Sequence, residues 1–415
     1  MLFGTATAST SCFRWTDSNE SKRGAASSPR SRCARPLLTA AFACSLVAAS
    51  AVQGASIVPA PPNLSSASYL VIDADTGKVI AERNSRESMP PASLTKVMTG
   101  YVAAGEIEGG RIALNDKVSV SVNAWRTPGS RMFIQEGTEV SVEDLLRGII
   151  IQSGNDASVA LAEHIAGSEA AFADMMNRQA AELGMVNSNF RNATGLPAED
   201  HYTTAWDLAA LTRAYIQQFP ENYALNSERS FTYNDIEQPN RNRLLWRDRT
   251  VDGVKTGYTK AAGYCLLASA EREGMRLISV VMGADNDAHR VQESQMLLSY
   301  GFRFFETKRL YEADAPLESA EVWYGQADAV ELGVAAPVTI TFPRGHYDQV
   351  AVEMTLPEVI EAPIQAGDAL GELRVSVNEE TLHSGPLIAL SDVAEAGIFA
   401  QLGDYLTLLF RRIFG

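Results

Sequence analysis

The chain has 415 residues, 46% of them hydrophobic and 20% charged, with a formal charge of −15. That length exceeds what one hydrophobic core usually organises, so two domains are expected. The composition argues against disorder and against a polytopic membrane protein. The acidic balance argues against nucleic-acid binding.

Residues 1–54 read as an export signal. Arg14, Lys22, Arg23, Arg30, Arg32 and Arg35 outnumber Asp17 and Glu20, and an apolar run over 36–52 ends at the small residues Gly54 and Ala55. Cleavage is expected after one of these two, and the run is short for a membrane span. The segment carries a net +4, so the remainder carries −19. Cys12, Cys33 and Cys44 leave with it. Cys265 is then alone, which excludes an internal disulfide and reads as a small buried hydrophobe in a strand.

A Pro- and Ser-rich linker over 55–66 precedes residues 68–80, which alternate like a hairpin. The stretch 93–104 reads as a helix opened by Pro90-Pro91. Apolar helices are expected over 140–151, 156–166, 169–183 and 204–217. Strands are expected over 251–258, 264–271 and 276–282, with Glu273-Gly274 turning between the last two. A closing helix covers 291–305. Strands at both ends and helices between them predict an α/β (α+β) domain over 67–307, its first and last segments sharing one sheet.

Residues 311–390 alternate between Gly and Pro punctuation and predict a small all-β sandwich domain. Nothing in it looks catalytic, and a spacing or partner-contact role is expected. In 393–415, Ile398, Leu402, Tyr405, Leu409 and Ile413 form one helical stripe, widened by Phe399, Leu406 and Phe410. It is too short and too polar to cross a bilayer and predicts an amphipathic helix lying in a membrane interface.

Three short motifs stand in order: Ser93-Leu94-Thr95-Lys96, Ser153-Gly154-Asn155 and Lys255-Thr256-Gly257. Any one could be a capped helix, an N-terminal turn or a charged edge strand; together they point to a nucleophilic serine. Residues i and i+3 share a helix face, so Lys96 can reach the Ser93 hydroxyl. Serine is a poor nucleophile until a base takes its proton. Only seven lysines stand against 28 arginines, yet two fall in these motifs. Arginine cannot give up its proton, whereas a buried lysine can. Lys255 is expected to depress Lys96 further. Ser153 suits proton relay and Asn155 suits a substrate amide. Lys255 and Thr256 suit a carboxylate, and Gly257 suits close approach of a substrate backbone. His164, His201, His289, His346 and His383 have no ligand spacing and read as structural or solvated, and neither metal nor cofactor is expected.

The three motifs resemble those of penicillin-binding proteins and serine β-lactamases. The stretches PPASLTKVMTGYV, SGNDASVALAE, DGVKTGYTKAAGY, LISVVMGA and GFRFFET look like the low-molecular-mass D-alanyl-D-alanine carboxypeptidases, as does the terminal Phe-Gly. The resemblance covers essentially the whole chain beyond the signal and implies a transpeptidase-like catalytic fold. Ser93 would attack the bond between the last two D-alanines of a peptidoglycan stem peptide, with Lys96 as base and water hydrolysing the acyl-enzyme. The N–H groups of Ser93 and Tyr258 would form the oxyanion hole. Arg241, in NRNRLLW, would hold the terminal carboxylate with Thr256. β-Lactams would acylate Ser93. Tyr258 stands where relatives often carry His and Ser158 where some carry Cys; both are expected to tune rates. The family implies a periplasmic enzyme attached peripherally to the inner membrane of a Gram-negative cell.

A class A β-lactamase would need a Glu followed four residues later by Asn between the second and third motifs, and no glutamate there has one. A D,D-endopeptidase acting on cross-links shares the chemistry. A non-enzymatic penicillin-sensing or wall-binding module would be favoured by a missing nucleophile or base, and both are present.

Overall fold

The computed structural model describes residues 9–13 and 58–414. The apolar run 36–52 of the expected export signal lies outside them. The chain forms two compact units. Among the described residues, one holds 58–315 with 336–344, and the other holds 316–335 and 345–414 with 9–13.

The first unit is built on a five-stranded antiparallel sheet. Its strands are β1 (Ser68–Asp73), β2 (Val79–Arg83), β3 (Val251–Thr259), β4 (Gly263–Arg272) and β5 (Met275–Ala284), in the order β2-β1-β5-β4-β3. First and last segments therefore share a sheet, as expected, and β3 is its edge. Glu273 and Gly274 both take positive φ, the turn that matches strand twist in a two-residue hairpin. Alternate residues of each strand enter different cores. Leu70, Ile72, Ile278 and Val280 join one, Val71, Leu277 and Val281 the other. Both faces are covered, which is why SYLVID is buried along its whole length.

The helices that bear on the site are α1 (Thr95–Glu108), α2 (Asn155–Ala166), α3 (Glu169–Glu182), α4 (Ala205–Gln218) and α5 (Asp287–Phe304). Side-chain oxygens of Ser168, Thr204 and Asn286 cap α3, α4 and α5. Two expectations are corrected. Ser93 lies not in α1 but in the 3₁₀ turn Ala92–Leu94 that feeds it. The stretch 140–151 is not one helix: strand Glu139–Ser141 and a short helix Val142–Arg147 lead into a π turn, Gly148–Gln152. Val338–Pro343 pairs antiparallel with Phe305–Tyr311 in a separate two-stranded sheet. Thr307 and Thr341 share a hydroxyl contact of 2.9 Å, and Thr307 donates to the buried Asp73 at 2.6 Å.

The second unit is all-β. Its sheet runs Ser9–Phe13, Val350–Leu356, Ala369–Val377, Glu380–Ala389, Ala329–Gly333, Glu318–Trp323 and Ile360–Glu361. Val322, Val330, Leu332, Ile364 and Val393 form its core. The chain continues into helix α6 (Ile398–Phe414), which exposes Ile398, Phe399, Leu402, Tyr405, Leu406, Leu409, Phe410 and Ile413. Its polar side turns inward. The Tyr324 N–H donates to Asp404 at 2.7 Å, and Arg411 pairs with Glu321 at 3.1 Å. Among the described residues no helix is long and apolar enough to cross a membrane.

Candidate active site

The site forms where the Ala92–Leu94 turn, the start of α2 and edge strand β3 meet. In a 3₁₀ turn side chains three apart eclipse, and Lys96 Nζ lies 3.3 Å from Ser93 Oγ. Lys96 is only 2% exposed. Its Nζ also donates to Asn155 Oδ1 at 2.7 Å and to the Thr194 carbonyl at 2.5 Å. Burial and the nearby Arg241 guanidinium pull its pKa down to about 7, against weaker opposition from Asp156 and Glu169. Arg241 thus acts on it as a cation beside the expected Lys255, whose own amine Lys96 depresses in turn. Once neutral, the amine has two hydrogens for Asn155 and Thr194 and a lone pair left for the Ser93 hydroxyl. That is the arrangement of a general base.

Ser153 closes the π turn with φ +65, a left-handed conformation that a non-glycine residue adopts at a cost of order 1–3 kcal/mol. Its hydroxyl is buried and has no hydrogen-bond partner. An unspent buried hydroxyl suits proton relay, because nothing in the resting site competes for it. Asn155 is locked on both sides. It accepts from Lys96, and its Nδ2 donates to the Pro128 carbonyl at 2.6 Å. Next to it, the buried Asp156 carboxylate accepts from the N–H groups of Met132, Phe133 and Ile134 at 3.0–3.3 Å. The second motif thus bolts residues 128–134 to the start of α2.

Lys255 and Thr256 are buried in β3. Burial pushes the Lys255 amine well below its usual range, and the cations Lys96, Arg241 and Arg290 act in the same direction. Its Nζ donates to the Thr256 carbonyl at 3.1 Å. Arg241 is exposed and its Nε donates to Gln152 Oε1 at 3.3 Å. Arg241, together with the buried Lys255 and Thr256, makes a place for an anion such as a peptide carboxylate. Gly257 is needed for space: a Cβ there would stand 3.3 Å from the Ser93 nitrogen and 3.2 Å from Ala92 Cβ. The β3 backbone and the nucleophile's own N–H are therefore neighbours, the placement an oxyanion hole requires. Tyr258 is 55% exposed and its ring lies tilted against Tyr264, with centroids 4.3 Å apart. Ser158 donates to the Gly154 carbonyl at 2.7 Å, behind the site. Cys265 is buried and free, and burial raises its thiol to about 11.

Several working parts escape the sequence motifs. Thr194 contributes through a backbone carbonyl. Asn192 Oδ1 accepts from the N–H groups of Thr194 and Gly195 and from the Thr194 hydroxyl, which folds that carbonyl toward Lys96. Arg290, on α5, donates to the Gly257 carbonyl at 2.8 Å and to the Cys265 carbonyl at 3.1 Å, supporting β3 from behind. Gly195, with φ +83, packs so closely that a Cβ would fall 1.8 Å from the Ala92 carbonyl oxygen. Gly195→Ala is therefore expected to slow acylation by a fluorescent penicillin by about 10²-fold, and a thermal melt is expected to show destabilisation as well.

A serine held against a depressed buried lysine, backed by an unspent hydroxyl and an anion pocket, defines a serine acyl-transfer enzyme. Residues 55–286 match the family model described as D-alanyl-D-alanine carboxypeptidase, and 305–395 match the C-terminal domain of penicillin-binding protein 5. The chain belongs to that carboxypeptidase family and is a serine-type D-Ala-D-Ala carboxypeptidase. It is similar to D-alanyl-D-alanine carboxypeptidase DacC of Escherichia coli (strain K12), with 43% identity over 85% of this chain and 90% of that one. Penicillin-binding protein 5 from Haemophilus influenzae superposes with a TM-score of 0.78 at 39% identity, covering 81% of this chain and 100% of that structure. Penicillin-binding protein D2 from Listeria monocytogenes, in its ampicillin-bound form, gives a TM-score of 0.54 at 31% identity over 58% of this chain and 100% of that structure.

Proposed function

We propose that Ser93, deprotonated by Lys96, attacks the carbonyl of the penultimate D-alanine in a peptidoglycan stem pentapeptide. The observation that carries this is the 3.3 Å approach of Ser93 Oγ to a lysine whose pKa lies at about 7. The Ser93 proton passes to Lys96 Nζ as the Oγ–C bond forms. The N–H groups of Ser93 and Tyr258 hold the oxyanion. Ser153 then hands its proton to the departing amine and takes up the one held on Lys96, so that the lysine is neutral again and D-alanine leaves with its nitrogen protonated. Water enters, gives its proton back along the same path, and the ester is cleaved to regenerate Ser93. Lys255, Thr256 and Arg241 receive the free terminal carboxylate, Asn155 holds the substrate amide, and Gly257 admits the peptide backbone. A β-lactam presents the same carbonyl and carboxylate and acylates Ser93. The strained ring opens, but no fragment departs to make room for water.

The test is product analysis with a stem pentapeptide and with a cross-linked dimer. Release of D-alanine from the pentapeptide, with the dimer left intact, is expected. Cleavage of the dimer without D-alanine release would replace this reading with the endopeptidase.

The reading extends to location. The amino-terminal basic and apolar segment would export the chain to the periplasm of a Gram-negative cell, with a role in keeping wall composition and cell shape. The apolar stripe of α6 would rest in the inner-membrane interface. Eight large apolar side chains face away from the sheet while Asp404 and Arg411 hold the polar side, which supports this. Deleting 393–415 is expected to yield an active enzyme that stays in the supernatant when mixed with vesicles of anionic phospholipid, while the full chain pellets. Pelleting of the truncated protein would place the attachment elsewhere.

A further inference from the structure

The carbonyl that completes the Lys96 environment sits on a loop, residues 191–201, with no helix or strand of its own to hold it. Something must fix that loop against α1, or the 2.5 Å contact from Lys96 to Thr194 would wander. Part of the answer is local. Asn192 folds the turn on itself, and Thr99 on α1 donates to the Ala193 carbonyl at 2.8 Å. The other part is His201.

The His201 ring bridges three segments. Nδ1 accepts the Arg191 N–H at 3.2 Å, from the start of the same loop. Nε2 lies 2.9 Å from Thr95 Oγ1, on the first residue of α1 and two places after Ser93. An atom that accepts a backbone N–H carries no proton, so the hydrogen of the neutral ring is on Nε2, donated to Thr95. Burial, with help from Arg191, pushes the pKa down to about 4, so the ring is neutral across the range in which Lys96 titrates. It is 7% exposed, and Phe190 packs edge-on against it at 6.0 Å. With both nitrogens engaged and no charge at neutral pH, it has no free lone pair for base chemistry. What it can do is hold.

We infer that His201 is a positioning residue for acylation: its imidazole clasps the loop that carries Thr194 to the head of α1, and so sets Lys96 against Ser93. This rests on Lys96 being the base, and the clasp has a test of its own. Placement errors of this kind act on the chemical step more than on substrate binding.

The experiment compares His201→Leu, His201→Gln, Thr95→Val and the double variant His201→Leu/Thr95→Val. The readouts are single-turnover acylation by fluorescent penicillin, and kcat and KM for a stem pentapeptide. Loss of either partner is expected to slow acylation and kcat on the order of tenfold to a hundredfold, with KM held within about twofold. The double variant should be no slower than the slower single, because both remove one contact. In His201→Gln a carboxamide can still accept from Arg191 and donate to Thr95, so acylation should recover to within about threefold of the parent. Wild-type acylation in His201→Leu, additive losses in the double variant, or a glutamine as slow as leucine would each overturn the clasp. Should His201→Leu fail to fold, Thr95→Val alone decides: acylation at the parental rate would refute it. An inactive parent would instead remove the assignment of Ser93 and Lys96, so the two failures are separable.

Discussion

In Ser93→Ala, both covalent labelling by a fluorescent penicillin and release of D-alanine fall to background, a loss on the order of 10⁴-fold or more. The size of the effect follows from what surrounds Lys96. Its Nζ touches one hydroxyl, that of Ser93; its other partners are the Asn155 amide oxygen and the Thr194 carbonyl, neither of which can become a nucleophile. Ser153 has a free hydroxyl, but it is sealed in at 2% exposure at the end of the π turn. Thr256 is likewise buried, and its strand carbonyl already engages Lys255. No second hydroxyl is both activated and open. The basic pocket of Lys255 and Arg241 survives the substitution, so reversible binding of penicillin should persist, measurable by displacement. Full labelling in Ser93→Ala would remove the serine from its role.

The depth to which such a site can be read from sequence depends on whether its parts are side chains or backbone. Ser93, Lys96, Ser153, Asn155, Lys255 and Thr256 are polar groups in short motifs, and the fold brings Ser93, Lys96 and Asn155 into contact and sets Gly257 of the third motif against the Ser93 nitrogen. The secondary elements around them were legible for local reasons: strand alternation, helical spacing of apolar residues, and the Glu273-Gly274 turn. The Thr194 carbonyl was not, because every residue has a carbonyl. Its only trace was the Asn192-to-Gly195 spacing, a turn signal without chemistry. The action of Arg241 on Lys96 also escaped. Arg241 lies far along the chain, and its influence depends on a tertiary placement that no pattern encodes. The π turn at 148–152 looked like ordinary helix because its apolar residues have helical spacing; the widening becomes visible only in where it leaves Ser153. Residues 338–343 alternate like the strands around them, and their pairing with Phe305–Tyr311 is a choice of partner that periodicity does not contain. His201 read as inert for the same reason: its two partners, the Arg191 N–H and the Thr95 hydroxyl, meet only in the folded chain.

Lys96→Arg is expected to be nearly as damaging as Lys96→Ala, losing about 10²–10⁴-fold in acylation rate. A change that keeps the positive charge would be mild if Lys96 served as an anchor for an anion. The structure gives it a different task. Its pKa stands at about 7, lowered chiefly by burial and then by Arg241. The sign is therefore definite: the neutral, proton-accepting form grows as pH rises through 7, and the acylation rate of the parent enzyme should climb over the same interval. Arginine keeps its proton throughout, so Lys96→Arg should be slow and show no such rise between about pH 5 and 9. Size adds to the loss, since a planar guanidinium cannot reproduce contacts at 2.5, 2.7 and 3.3 Å around a point-like amine in a site only 2% exposed. The same logic fixes the direction for Arg241→Gln. Removing that cation lets Lys96 hold its proton to higher pH, so the rising limb should move upward, apart from any weakening of carboxylate binding seen in KM. A Lys96→Arg enzyme that turned over at near-parental rates, or a parent whose acylation rate was flat across pH 7, would show that the proton on Ser93 leaves by another route.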